Sequence, residues 1–240
     1  EPVASGVLFG AGEPLALEGG TGRLERDGNG ALYAPQTADQ RVRYELGVRS
    51  GQPGEAALAD DRAVVPREGE RFLSLPPLGP GVEALAREIV ADAPNDLARA
   101  RALETWLRRN GRYSDTPPPD EPGDARSPLE RFLLGEREGH CEYFASAMVV
   151  MARTKGLPAR LLNGFAGGRR NRVGDFLELT GADAHAWVEL HFDRHGWVRF
   201  DPTPPDRRLA ATGDATLAQR LEELRSALEL FWFQHVVEFD

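Results

Sequence analysis

The chain of 240 residues has a single cysteine, Cys141, so no disulfide can form within it. It also lacks any apolar run of about 18 residues, and nothing in it reads as a membrane-spanning helix. No CxxC or HExxH pair is present, and one thiol among scattered histidines falls short of the roughly four ligands that zinc takes. Asp60-Asp61 and Asp120-Glu121 lack calcium-loop spacing and read as solvated charge. No metal ion and no cofactor are therefore expected. Basic residues are outnumbered: the net charge is −9, which disfavours nucleic acid and anionic lipid as general partners. There is no low-complexity tract and no internal repeat. The first residue is Glu1, with no signal peptide behind it, as expected of a processed or excised piece whose address is not written at its ends. A lone thiol suits the cytosol, and equally an exported domain that keeps one thiol free.

What is present is ordinary for a globular protein: 41% apolar and 28% charged residues, enough for one large domain or a medium one with a smaller companion. Residues 1–65 read as a small β-rich lobe. The stretch 41–49 alternates apolar and polar, and Asp27-Gly28-Asn29-Gly30 reads as a hairpin turn. Residues 66–81, rich in Pro and Gly, read as a linker. A core of 82–210 follows. Its first helix carries Val82, Leu85, Ala86, Ile89 and Val90; its second is capped by Asn95 or Asp96 and ends at Gly111. The proline-rich stretch 116–123 reads as an exposed loop. Ser127, Pro128 and Glu130 spell a capping box.

Residues 141–155 are apolar on nearly every face, the mark of a central buried helix, and Gly156 ends it. Strands are expected at 159–165, 176–180, 185–192 and 196–200. A tight turn at Asp193-Arg194-His195-Gly196 joins the last two. Residues 167–174 read as a mobile loop, whose Arg169, Arg170 and Arg172 are either solvated or steer an acidic substrate. Residues 211–240 read as an amphipathic helix, with Leu217, Leu221, Leu224, Leu228, Phe231 and His235 in one stripe that packs on the domain.

Three residues could carry chemistry together. Cys141 opens the buried helix, where the dipole and free N–H groups favour a thiolate and can stabilise an acyl oxyanion. The plain alternative is a small buried hydrophobe. His185 begins a strand, shares a face with Trp187, and can exchange a proton with a thiol or be a satisfied core histidine. Asp201 ends the neighbouring strand before Pro202, either orienting an imidazole or starting a turn. Because the two strands form a hairpin, the start of one lies beside the end of the other.

Four motifs stand in order: Gly139-His140-Cys141-Glu142-Tyr143-Phe144-Ala145, Gly156-Leu157-Pro158-Ala159-Arg160, Ala184-His185-Ala186-Trp187-Val188-Glu189, and Gly196-Trp197-Val198-Arg199-Phe200-Asp201-Pro202-Thr203-Pro204. Over residues 82–205 the chain resembles the transglutaminase-like superfamily. The resemblance implies an α+β, papain-like core with the Cys-bearing helix against an antiparallel sheet. It implies Cys141 as nucleophile, His185 as base and Asp201 as orienting acid, with Tyr113 and Trp187 at the oxyanion or substrate side. The flanks resemble a bacterial branch in which this core is a periplasmic domain of an inner-membrane protein, the last helix leading toward a membrane segment. The implied reaction is acyl transfer from a protein glutamine to an amine, with protein or peptide substrates. The alternatives are a peptidase or amidase with water as acceptor, and a non-catalytic binding module.

Overall fold

The computed structural model describes residues 6–10, 12–19, 22–37, 42–49, 51–67, 69–116, 124–205 and 217–232. The N-terminal part holds β1 (Val7–Leu8), β2 (Glu13–Gly19), β3 (Glu25–Arg26), β4 (Leu32–Tyr33), β5 (Tyr44–Arg49) and helix α1 (Glu55–Ala59). Then come α2 (Pro80–Ile89), α3 (Asp96–Asn110), β6 (Arg112–Tyr113), α4 (Pro128–Leu134), β7 (Glu138–Gly139) and α5 (Cys141–Thr154). The chain continues through β8 (Ala159–Phe165), β9 (Arg169–Asn171), β10 (Phe176–Glu178), β11 (Ala184–Phe192), β12 (Gly196–Phe200) and α6 (Leu217–Trp232).

Helix α5 is the centre. Phe144, Ala145, Ala147, Met148, Met151 and Ala152 are wholly buried, so the helix meets protein on nearly all sides. It packs on β8 and β11 on one side and on α2, α3 and α4 on the other. Each large apolar side chain so enclosed stabilises the fold by about 1.5–3 kcal/mol. The helix starts are set locally. Asn95 Oδ1 accepts from the Ala98 N–H at 2.8 Å, and Ser127 with Glu130 closes the capping box that opens α4. Glu130 also accepts from the Gly79 N–H at 2.6 Å, tying the start of α2 to α4. Gly156, at φ +74°, lets the chain leave α5 toward β8.

The main sheet is antiparallel in the order β12-β11-β8. One face of β11 carries Ala186, Val188, Leu190 and Phe192, all fully buried. The other face carries Trp187, Glu189 and His191, and the N-terminal part roofs it. Arg160 pairs with Glu189 at 2.7 Å and lies over Trp197 at 4.0 Å. Arg160 also donates to Asn29 O at 2.5 Å, and the Arg199 N–H donates to Gln52 Oε1 at 3.0 Å. Phe9 meets Phe165 edge-on at 4.9 Å.

Several expectations change. The stretch read as strands alone contains α1, whose Leu58 joins the main core. Within 66–81 a 3-10 turn at Glu70–Phe72 packs Phe72, 2% exposed, against Trp197. Asp61 is not solvated: its side chain is 2% exposed. It accepts from His195 Nδ1 at 2.7 Å, the Arg194 N–H at 3.1 Å and the Arg62 N–H at 2.9 Å, clamping the β11–β12 turn. Asp120 and Glu121 lie outside the described residues, as does 117–123 of the expected loop.

The stretch 167–174 is no free loop either. β9 pairs with β10, Arg169 binds Glu178 at 2.6 Å and Arg170 binds Asp175 at 2.7 Å. Helix α6 lies beside that hairpin, held by Asn171 Nδ2 donating to Glu223 O at 2.8 Å; His235 lies outside the described residues.

Candidate active site

Cys141 is the first residue of α5, after His140 at the cap position. His140 offers no side-chain cap; the Tyr143 N–H turns back to His140 O at 3.0 Å, and the Cys141 and Glu142 N–H groups are the first-turn donors nearest the sulfur. Cys141 is 9% exposed and sits at the margin of the core. Gly139 is required before it, because a Cβ there would come within 2.9 Å of the Tyr143 ring.

His185 Nε2 lies 3.0 Å from Asp201 Oδ2. Cys141 is close enough to act on the titration of His185, so the sulfur and the carboxylate both bear on this one ring. An imidazole has two ring nitrogens, so Nδ1 is the one left for the sulfur. Burial pushes the His185 imidazolium down, but hydrogen bonds to Asp201 and Cys141, with the negative charge of both, outweigh it and raise the pKa to about 9. Burial pushes Asp201 up, yet the bonds from His185 and the Thr203 N–H leave it below its ordinary value. Trp187 lies edge-on to His185 at 5.1 Å and carries the Arg199 guanidinium over its face at 4.9 Å.

Thus Cys141, His185 and Asp201 come together from a helix start and two strand ends, with Trp187 against the imidazole. Tyr113 reaches the neighbourhood by a route the sequence did not announce. β6 and β7 pair in parallel with Tyr113 opposite Gly139, and the Ser114 N–H donates to Gly139 O at 2.9 Å. The Tyr113 hydroxyl bonds Asp115 Oδ1 at 3.2 Å. Among the described residues no three His, Cys, Asp or Glu side chains gather as metal ligands.

Sequence reasoning missed what holds Asp201. Glu104 Oε1 accepts from the Asp201 N–H at 2.8 Å, and Arg108 Nη1 donates to Asp201 O at 3.1 Å. The Thr203 N–H donates to Asp201 Oδ1 at 3.0 Å. A signal was available: Glu104 interrupts the buried stripe of Leu97, Ala100, Leu103 and Leu107 on α3.

The model of the transglutaminase-like superfamily core matches residues 83–202, half of the chain. The chain belongs to this superfamily. It is 34% identical over 139 residues to "Uncharacterized protein YebA" of Bacillus subtilis, covering 56% of this chain and 19% of that protein. It is also 34% identical over 174 residues to a protein-glutamine gamma-glutamyltransferase of Pseudomonas aeruginosa, covering 72% of this chain and 25% of that protein. The chain therefore spans only 19–25% of the length of these relatives. The fold is that of the periplasmic domain of TgpA from Pseudomonas aeruginosa. The ethylmercury-bound form superposes with a TM-score of 0.66 at 26% identity, covering 84% of this chain and 69% of that one. The form without it gives 0.65, again at 26% identity, covering 84% and 66%. The mixed helix and sheet architecture of a transglutaminase-like core is thus established. No helix among the described residues is long and apolar enough to cross a membrane.

Proposed function

We propose that this domain transfers the acyl group of a protein glutamine to an amine through a thioester on Cys141. His185 carries the reading: one imidazole hydrogen-bonds the Asp201 carboxylate and has its proton held by both Asp201 and Cys141. With its proton held to about pH 9, His185 faces the sulfur as a cation at neutral pH, which favours the nucleophilic thiolate. The thiolate attacks the glutamine carboxamide, and the carbonyl oxygen becomes an oxyanion. The first-turn N–H groups of α5 stabilise that charge, and Tyr113 and Trp187 flank the substrate. The C–N bond then breaks as His185 protonates the leaving nitrogen, releasing ammonia. A primary amine attacks the thioester, neutral His185 takes its surplus proton, and the isopeptide forms as the thiolate departs. Asp201 keeps the ring oriented and stabilises its charge throughout.

The name of the Pseudomonas relative supports protein substrates, and the TgpA likeness supports a periplasmic setting in a membrane-anchored protein. The decisive assay supplies a glutamine-bearing protein and a fluorescent primary amine, tracking amine incorporation and ammonia together. Equal incorporation and ammonia, both lost in Cys141→Ala, is the expected result. Ammonia or cleaved peptide without incorporation would assign water as the acceptor. Activity surviving in Cys141→Ala would remove Cys141 from the mechanism, and a wild-type thiol no faster with iodoacetamide than an ordinary buried one would favour a binding module.

A further inference from the structure

The Asp201 peptide is gripped from one face of α3. The β11–β12 ladder ends at the pair Val188–Phe200, so Asp201 has no strand partner for its N–H. Glu104 Oε1 takes that N–H at 2.8 Å, while Arg108, one turn on, donates to the Asp201 carbonyl at 3.1 Å. Glu104 is 8% exposed, and its other oxygen takes Arg101 Nη1 at 2.7 Å, so the buried charge is paired. Pro202 further confines Asp201 to extended backbone. The side chain is then divided: Oδ1 is occupied by the Thr203 N–H, and Oδ2 is left for His185. Residue 201 is thus fixed at its N–H, its C=O and both carboxylate oxygens.

Helix α3 is a firm base for this grip, since Ala100, Leu103 and Leu107 are wholly buried. A carboxylate set into such a stripe costs desolvation that an apolar residue would avoid. We infer that Glu104, assisted by Arg108, is a positioning residue: it anchors the Asp201 backbone so that the carboxylate stays aimed at His185. The inference rests on the proposed roles of Cys141, His185 and Asp201. Displacing a reacting group by about 1 Å can cost about a hundredfold in rate, so the anchor acts on turnover rather than on substrate binding.

The test compares Glu104→Leu, which removes the acceptor, with Glu104→Gln, which keeps an oxygen for the Asp201 N–H; Asp201→Asn is the control. His185 titration is followed by imidazole NMR, Cys141 alkylation by iodoacetamide across pH, and kcat and KM by amine incorporation. In Glu104→Leu the His185 midpoint should fall from about 9 toward 6.5, and kcat should drop at least tenfold at unchanged KM. Glu104→Gln should restore both to within about threefold, a factor near 0.7 kcal/mol. A folded Glu104→Leu protein with wild-type titration and kcat overturns the inference, as does equal impairment of the Leu and Gln variants. Should Glu104→Leu not fold, the exposed Arg108→Met decides, with a smaller shift in the same direction expected and none refuting the grip. If Asp201→Asn itself leaves the alkylation profile unchanged, the triad assignment fails instead.

Discussion

Gly164 and Trp187 pack so closely that a Cβ on the glycine would lie 2.8 Å from the indole ring. The ring has little room to retreat, with His185 at its edge and Arg199 over its face. Gly164→Ala should therefore be felt at the imidazole. We expect kcat/KM for amine incorporation to fall about tenfold, near 1.4 kcal/mol of barrier, while circular dichroism stays native.

Protonation of His185 should be visible in stability. Its folded pKa of about 9 lies above the ordinary 6.5, so its contribution is complete below pH 6.5 and disappears as pH rises through about 9. Urea midpoints of wild type and His185→Asn should differ most near pH 6 and converge above pH 9. A constant difference across that window would show that the imidazolium contributes no charge-linked stability.

The clamp on the β11–β12 turn makes a separate prediction. Asp61→Ala leaves the Arg62 and Arg194 N–H groups and the His195 ring without their acceptor; because these donors are only part-buried, the total cost should be about 1–3 kcal/mol. Burial pushes Asp61 up, but its bonds from His195, Arg194 and Arg62 bring it below the ordinary 3.8. Its stabilisation is therefore present above pH 3.8 and lost as pH falls through the lower folded value. Asp61→Asn should flatten that acid limb in thermal melts taken from pH 6 down to pH 2.

On the roofed face of the sheet, Arg160→Met should be costly because it strands Glu189, whose side chain is 11% exposed. A loss of about 1–3 kcal/mol is expected, read from urea midpoints. The double variant Arg160→Met with Glu189→Leu should recover part of it, since removing both members of an enclosed pair is gentler than removing one.

What the sequence made legible follows distance along the chain. Asn95, Ser127 and Gly156 act on neighbours within a few residues, and each cap or stop is found where its local chemistry puts it. His185 and Asp201 were readable as partners because one short turn joins their strands. The partners of Asp61 and Glu104 were not, since His195 is 134 residues from Asp61 and Asp201 is 97 from Glu104. A lone acidic residue carries no mark of a donor that folding alone brings to it. The parallel pairing of Tyr113 with Gly139 was hidden likewise, as two-residue strands have no periodicity to read.

His185 and Asp201 are 16 positions apart in sequence, and the stretch between them is the two arms and the turn of one hairpin. Chain length between them is therefore a gauge. One residue inserted into either arm would invert the alternation beyond it and send imidazole and carboxylate to opposite faces. The same residue inserted at the turn would spare that alignment and disturb only the hold of Asp61. Two neighbouring stretches of one hairpin thus tolerate a change of length to very different degrees.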